Sequence, residues 1–114
     1  MSEAQRRTAD AALRASFDLV VARALAAMPV LVEYAVPLLR PGGVLATPKG
    51  SRALDELAAA RGAIAALGAE ALAPLPLVLP ADVPPQLVLL VRRVGALDSR
   101  YPRRAGLPSK QPLA

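Results

Sequence analysis

Arg23 and Lys49 are the side chains in this 114-residue sequence best placed to do chemistry. Each follows a short apolar run. Phe17-Asp18-Leu19-Val20-Val21-Ala22 ends at Arg23, and Gly43-Val44-Leu45-Ala46-Thr47 ends at Pro48-Lys49-Gly50. Such runs are the pattern of strands buried on both faces of a parallel sheet. Parallel neighbours place their carboxyl ends on one rim, and open α/β sheets bind ligands outside that rim. Two cations facing one crevice would form a functional pair. The structural alternatives are an ion pair from Arg23 to Asp18 or Glu33, and a solvated loop charge at Lys49.

A second basic feature is the terminus, Arg100-Tyr101-Pro102-Arg103-Arg104-Ala105-Gly106-Leu107-Pro108-Ser109-Lys110-Gln111-Pro112-Leu113. Residues 92–114 hold six Lys/Arg (Arg92, Arg93, Arg100, Arg103, Arg104, Lys110) against Asp98, whereas residues 1–91 hold eight of each sign. The whole formal charge of +5 therefore lies in the last fifth of the chain. A positive field on one segment marks a contact surface for a polyanion, with RNA or DNA leading. A solubilising tail is the plain alternative.

Other chemistries are excluded by composition. Without histidine or cysteine there is no Ser-His arrangement, disulfide framework or thiolate zinc site. No G-x-G-x-x-G and no P-loop occurs, and Gly42-Gly43 is not a phosphate fingerprint. Aromatic residues make up 3%, so stacking rows for bases are missing. Glu33, Asp55 and Glu56 fall on predicted helices facing solvent, so they are not read as a catalytic carboxylate set.

The elements that must position these residues alternate. Residues 1–16 read as a loose helix or linker and Phe17–Ala22 as a strand. Pro29–Leu39 is predicted helical, with Pro29 in its first turn and Pro37 bending its last. Gly43–Thr47 reads as a second strand. The clearest helix begins after Ser51 as N-cap, carries Asp55 and Glu56 early, and repeats Leu54, Leu57, Ala58, Ile64, Ala65 and Leu67 at the 3.6-residue period before Gly68 caps it. Pro74 and Pro76 put Glu70–Leu79 on a sheet edge, while proline-free Gln86–Val94 belongs in the interior. Strand, helix, strand, helix, strand, strand implies an α/β sheet: two parallel units and a terminal hairpin. Residues 17–97 would be one partial domain and 98–114 a basic tail.

Such a domain is short of sheet. Phe17–Ala22 would form an apolar edge, an aggregation hazard that proteins usually cover. The expectation is that more sheet lies beyond it, from a missing N-terminal half or a partner chain; a small self-sufficient domain is the alternative. The apolar stretch Leu19–Leu39 contains Arg23, Glu33, Pro29 and Pro37, whereas a membrane span needs about 20 largely uncharged residues. No signal peptide is recognised at the N-terminus. A cytoplasmic protein with no membrane contact is the default.

Together, Phe17-Asp18-Leu19-Val20-Val21-Ala22-Arg23-Ala24, Val36-Pro37-Leu38-Leu39-Arg40-Pro41-Gly42-Gly43, Lys49-Gly50 and the segment Arg100–Leu113 resemble one family. It is the small-subunit ribosomal RNA methyltransferase G family, also called glucose-inhibited division protein B. The likeness runs from about Arg7 to Leu113 and is to that family's C-terminal half. It implies a class I (Rossmann-like) S-adenosylmethionine-dependent methyltransferase sheet, with strands four to seven present in the order four, five, seven, six and two crossover helices between them. The implied reaction methylates N7 of a guanine in 16S ribosomal RNA, with the small ribosomal subunit as partner.

The resemblance also carries site residues. Arg23 matches the arginine near the cofactor after strand four. Thr8-Ala9, between Arg7 and Asp10, match the Ala-Glu dipeptide bordering the adenine, with Ala9 replacing the acid. Lys49, Arg100, Arg103, Arg104 and Lys110 are expected to contact RNA. Thr47-Pro48 and Gln86 depart from the usual Ala-Leu and Arg, and the family's glycine-rich cofactor loop is not matched in this sequence. The competing readings are a non-catalytic RNA-binding or assembly module and the product of a truncated reading frame.

Overall fold

The computed structural model describes residues 13–23, 26–98, 100–103 and 106–113. Strand β1 (Phe17–Val21) leads to helix α1 (Met28–Ala35), a 3₁₀ turn (Val36–Leu38) and strand β2 (Leu39–Lys49). Helices α2 (Ala53–Ala59) and α3 (Arg61–Ala66) precede the short strands β3 (Ala69–Ala71) and β4 (Leu75–Leu77), then strand β5 (Gln86–Arg93) and helix α4 (Leu107–Lys110). The sheet order is β1-β2-β5-β3, with β4 also on β5. β1 runs parallel to β2, while β5 is antiparallel to β2, β3 and β4. This is the mixed α/β sheet expected, with Pro76 on the outer edge as the sequence required.

Local chemistry explains where elements start and stop. Pro29 enters α1 in its first turn. Pro37 lacks the N–H that would continue the helix, and the chain tightens into the 3₁₀ turn there. Strand β2 therefore begins at Leu39, four residues before the expected Gly43. Gly42 has φ +85°. At Gly43 a Cβ would lie 2.9 Å from the Phe17 carbonyl oxygen and 3.0 Å from that of Arg40. Glycine there lets β1 approach at the point where the β1–β2 register shifts.

Other expectations need correction. The single helix after Ser51 is two helices, broken at Ala60, whose N–H is shared between the Glu56 and Leu57 carbonyls. That tightening seats Ala60, Ala63, Ile64 and Leu67 in the core. Arg52, not Ser51, occupies the cap position, and no side chain caps it. Gly68, at φ +64°, ends α3 as expected. The Glu70–Leu79 run splits at Pro74, which cannot donate to β5.

The core lies on one side of the sheet. Leu45, Leu89 and Val91 pack against Met28, Leu31, Val32 and Ala35 of α1 and against Ile64 and Leu67. The alternate residues Val44, Ala46, Pro48, Val88 and Leu90 are half-buried. Register places Leu19 and Val21 on this second face, where they are 56% and 69% exposed. β1 is thus not buried on both faces, because the described helices cover one side only. None of those helices is long and apolar enough to cross a membrane.

Candidate functional site

Parallel pairing brings the carboxyl ends of β1 and β2 to one rim, with Val21 opposite Ala46. Arg23 is exposed just beyond β1. The two acids expected as its alternative partners are held elsewhere: Asp18 pairs with Arg40 at 2.7 Å, and Glu33 with Arg103 at 2.8 Å. Arg23 therefore has no ion-pair partner among the described residues. An uncompensated guanidinium at the ligand-binding end of an open α/β sheet can hold a carboxylate or phosphate.

Lys49 stands on the same rim but is only 8% exposed. Its Nζ lies 3.1 Å from Glu56 Oε1 and donates to the Ala26 carbonyl at 3.1 Å. The ammonium ties the end of β2 to α2 and to the loop that follows Arg23. Lys49 is thus committed to protein contacts, neither a solvated loop charge nor an open cation.

The basic terminal segment is folded onto the domain. Glu33, expected on a solvent face, is fully buried within α1. Its carboxylate accepts from Arg103 Nε at 3.0 Å, Nη2 at 2.8 Å and the Arg103 backbone N–H at 2.8 Å. The side-chain hydrogen bond to Glu33 raises the Arg103 pKa above its ordinary value, with burial opposing it. Arg103 also donates to the Gln111 carbonyl at 2.6 Å, and Gly106 N–H to the Tyr34 hydroxyl at 3.3 Å. Tyr101 and Pro108 are buried. From the other side, Arg14 donates to the carbonyls of Tyr101 and Asp98.

Few of the expected RNA cations remain open. Arg92 pairs with Glu70. Arg93 is buried, donating to the Leu39 carbonyl at 2.6 Å, and burial, helped by nearby Arg14, lowers its pKa. Arg100 is exposed, 3.4 Å from Asp98 and over the Tyr101 ring. Lys110 is exposed. Thr8, Ala9 and Arg104 lie outside the described residues.

Sequence reasoning passed over two features. Arg52, exposed in the turn after β2, was hidden by being one cation in a loop. The Glu33–Arg103 pair had a signal: one acid inside the apolar run Met28–Leu39 demands a cationic partner.

Comparison with known proteins fits this arrangement. A family model described as rRNA small subunit methyltransferase G matches residues 3–77. The protein named ribosomal RNA small subunit methyltransferase G from Chloroflexus aggregans is 45% identical over 100 residues, covering 88% of this chain and 42% of that protein. Those of the same name from Geobacillus kaustophilus and Lactobacillus johnsonii are 41% and 45% identical over 101 residues, covering 89% of this chain and 42% of each relative. The chain thus spans about two fifths of the length of these relatives. With that extent of match, the chain belongs to the rRNA small subunit methyltransferase G family.

Proposed function

We propose that this chain forms the strand-four-to-seven part of an S-adenosylmethionine-dependent methyltransferase that modifies guanine N7 in small-subunit ribosomal RNA. The observation that carries the reading is Arg23, exposed and without an acid partner among the described residues, at the carboxyl rim of two parallel strands. Among the described residues the second face of the sheet is uncovered and the outer edge of β1 is unpaired, which supports a sheet that continues in further strands and helices. The relatives' additional length is enough to supply them.

The rim fits one wall of a cofactor site. Arg23 would bind the anionic part of the cofactor, and Lys49 would hold the loop that carries Arg23. Thr8 and Ala9 are proposed to border the adenine. When bound, S-adenosylmethionine supplies an electrophilic methyl group. Guanine N7 presents a free lone pair, so no side chain has to remove a proton. Rate then comes from alignment and electrostatics, and a site without histidine or cysteine is adequate. Arg100, Arg104 and Lys110 would meet RNA phosphates. Arg103 would act by seating that segment on α1, and Lys49 through the rim it braces.

The test is to co-express this chain with the part of the Geobacillus kaustophilus relative that it does not match, and to purify the pair. Methyl transfer to guanine N7 of small-subunit ribosomal RNA is expected from the pair, with loss on Arg23→Ala. The isolated chain should bind S-adenosylmethionine weakly or not at all by calorimetry. Tight binding by the chain alone, or salt-dependent RNA binding by the pair with no methyl transfer, would overturn the proposal; the second result favours a non-catalytic RNA-binding module.

A further inference from the structure

We infer that a cavity on the same rim, two strands outward from Arg23, receives an unpaired guanine base of the RNA beside the one being modified. The inference rests on reading this rim as the RNA-facing one. The cavity has a volume of about 450 Å³, within the size range of small-ligand sites. It lies between the turn after β2, the start of α2, β4 and the start of β5. Because β5 is antiparallel to β2, its first residue, Gln86, sits at the carboxyl end of β2.

The walls and the polar groups point to a flat ring with donors along one edge. Leu54, Leu77 and Pro85 line the cavity. Leu54 and Leu77 are exposed large apolar residues, and such surfaces can sandwich a planar base where aromatic residues are scarce. Ser51, Asp55 and Gln86 supply the polar lining. Asp55 is exposed and has no ion-pair partner among the described residues. An ionised carboxylate only accepts hydrogen bonds. Guanine offers it two adjacent donors, N1–H and the N2 amino group, whereas the corresponding edge of adenine pairs a donor with an acceptor. Gln86 can both donate and accept, which suits the rest of that edge.

Charge around the opening favours a nucleotide over a neutral ring. Arg52, between the lining residues Ser51 and Ala53, is exposed with no acid partner among the described residues, so a phosphate can be met beside the slot. Unpaired bases read on their Watson–Crick edges are the usual basis of sequence-specific RNA recognition.

The test is titration of the chain with guanosine monophosphate and adenosine monophosphate, followed by NMR shifts of the Gln86–Leu87 and Ser51–Asp55 amides. Guanosine monophosphate should bind about tenfold more tightly, the discrimination that one bidentate contact to a base edge supplies. Asp55→Asn should abolish the preference, and Leu54→Glu should weaken both ligands. Equal affinity for the two nucleotides, a preference that survives Asp55→Asn, or shifts confined to other parts of the chain would overturn it. Neither ligand requires cofactor or methyl transfer. A chain that prefers guanosine monophosphate while the co-expressed pair transfers no methyl refutes the enzymatic reading alone. An active pair with nucleotide-indifferent Asp55 refutes this one alone.

Discussion

Replacing Arg103 with methionine tests whether the terminal segment is a structural clamp. Glu33 has no exposed surface, and Arg103 is 21% exposed. Removing the guanidinium leaves a buried carboxylate with the Arg103 backbone N–H as its only remaining donor among those that the pair supplies. Breaking a buried pair by deleting one partner costs about 3–5 kcal/mol. The residual exposure of Arg103 favours the lower figure, and losing the bond to the Gln111 carbonyl adds about 1 kcal/mol. With a urea slope of about 1–3 kcal/mol per molar, a 3 kcal/mol loss moves the midpoint by about 1–3 M. Arg100→Met is the control: its pair with Asp98 is exposed on both sides, so it should cost under about 1 kcal/mol. The double variant Glu33→Met, Arg103→Met should regain most of the loss, since an apolar pair of similar volume often equals or exceeds a buried ion pair. Urea unfolding followed by circular dichroism reads all three. Equal midpoint shifts for Arg103→Met and Arg100→Met would refute the clamp.

Three further outcomes are expected. The raised pKa of Arg103 places its stabilising contribution below the unfolded arginine value, to be lost only as pH climbs through the higher folded one. The midpoint difference between wild type and Arg103→Met should therefore stay constant from about pH 7 to about pH 10; a difference that shrinks across that window contradicts it. Gly43→Ala should cost more than about 2 kcal/mol, because its Cβ meets three backbone carbonyl oxygens within 3.2 Å. Gly42→Ala, in open space but at positive φ, should cost only about 1 kcal/mol, and thermal melts rank the two. Thr47 is fully buried and its hydroxyl has no partner among the described residues, so Thr47→Val should be neutral or stabilising by about 1 kcal/mol in the same melts; a loss would show that the hydroxyl has a partner.

The sheet was legible because its cues are local. Pro74 and Pro76 forbid an interior strand, the uninterrupted Leu87–Val91 requires one, and Gly68 marks a helix end. Arg23 could be placed on a rim from strand direction alone. What could not be read depends on contacts distant in sequence. Glu33 and Arg103 are separated by 70 positions, and no periodicity in either segment reveals that they meet. The second face of the sheet was misjudged for a related reason. A run such as Phe17–Ala22 is written for burial on both sides, but composition does not say which chain segment provides the cover. The break at Ala60 was equally silent, since an alanine run suits one helix or two.

The terminal charges show how far formal charge and electrostatic field can diverge. Counted along the sequence, the positive excess belongs to the last fifth of the chain. In the fold, Arg92, Arg100 and Arg103 each sit against an acid, and Arg93 is buried on carbonyl oxygens. At the carboxyl rim the opposite holds: Arg23 and Arg52 are exposed and lack acid partners among the described residues. An approaching polyanion is attracted by uncompensated exposed charge rather than by composition. A phosphate backbone should therefore engage the rim at least as strongly as the terminal segment, whose role becomes to cover α1 and fix Lys110 at its edge. Each cation that neutralises a phosphate contributes to the salt dependence of binding. Arg23→Ala and Arg52→Ala should each flatten that dependence, whereas Arg93 and Arg103, already committed inside the fold, contribute nothing to it.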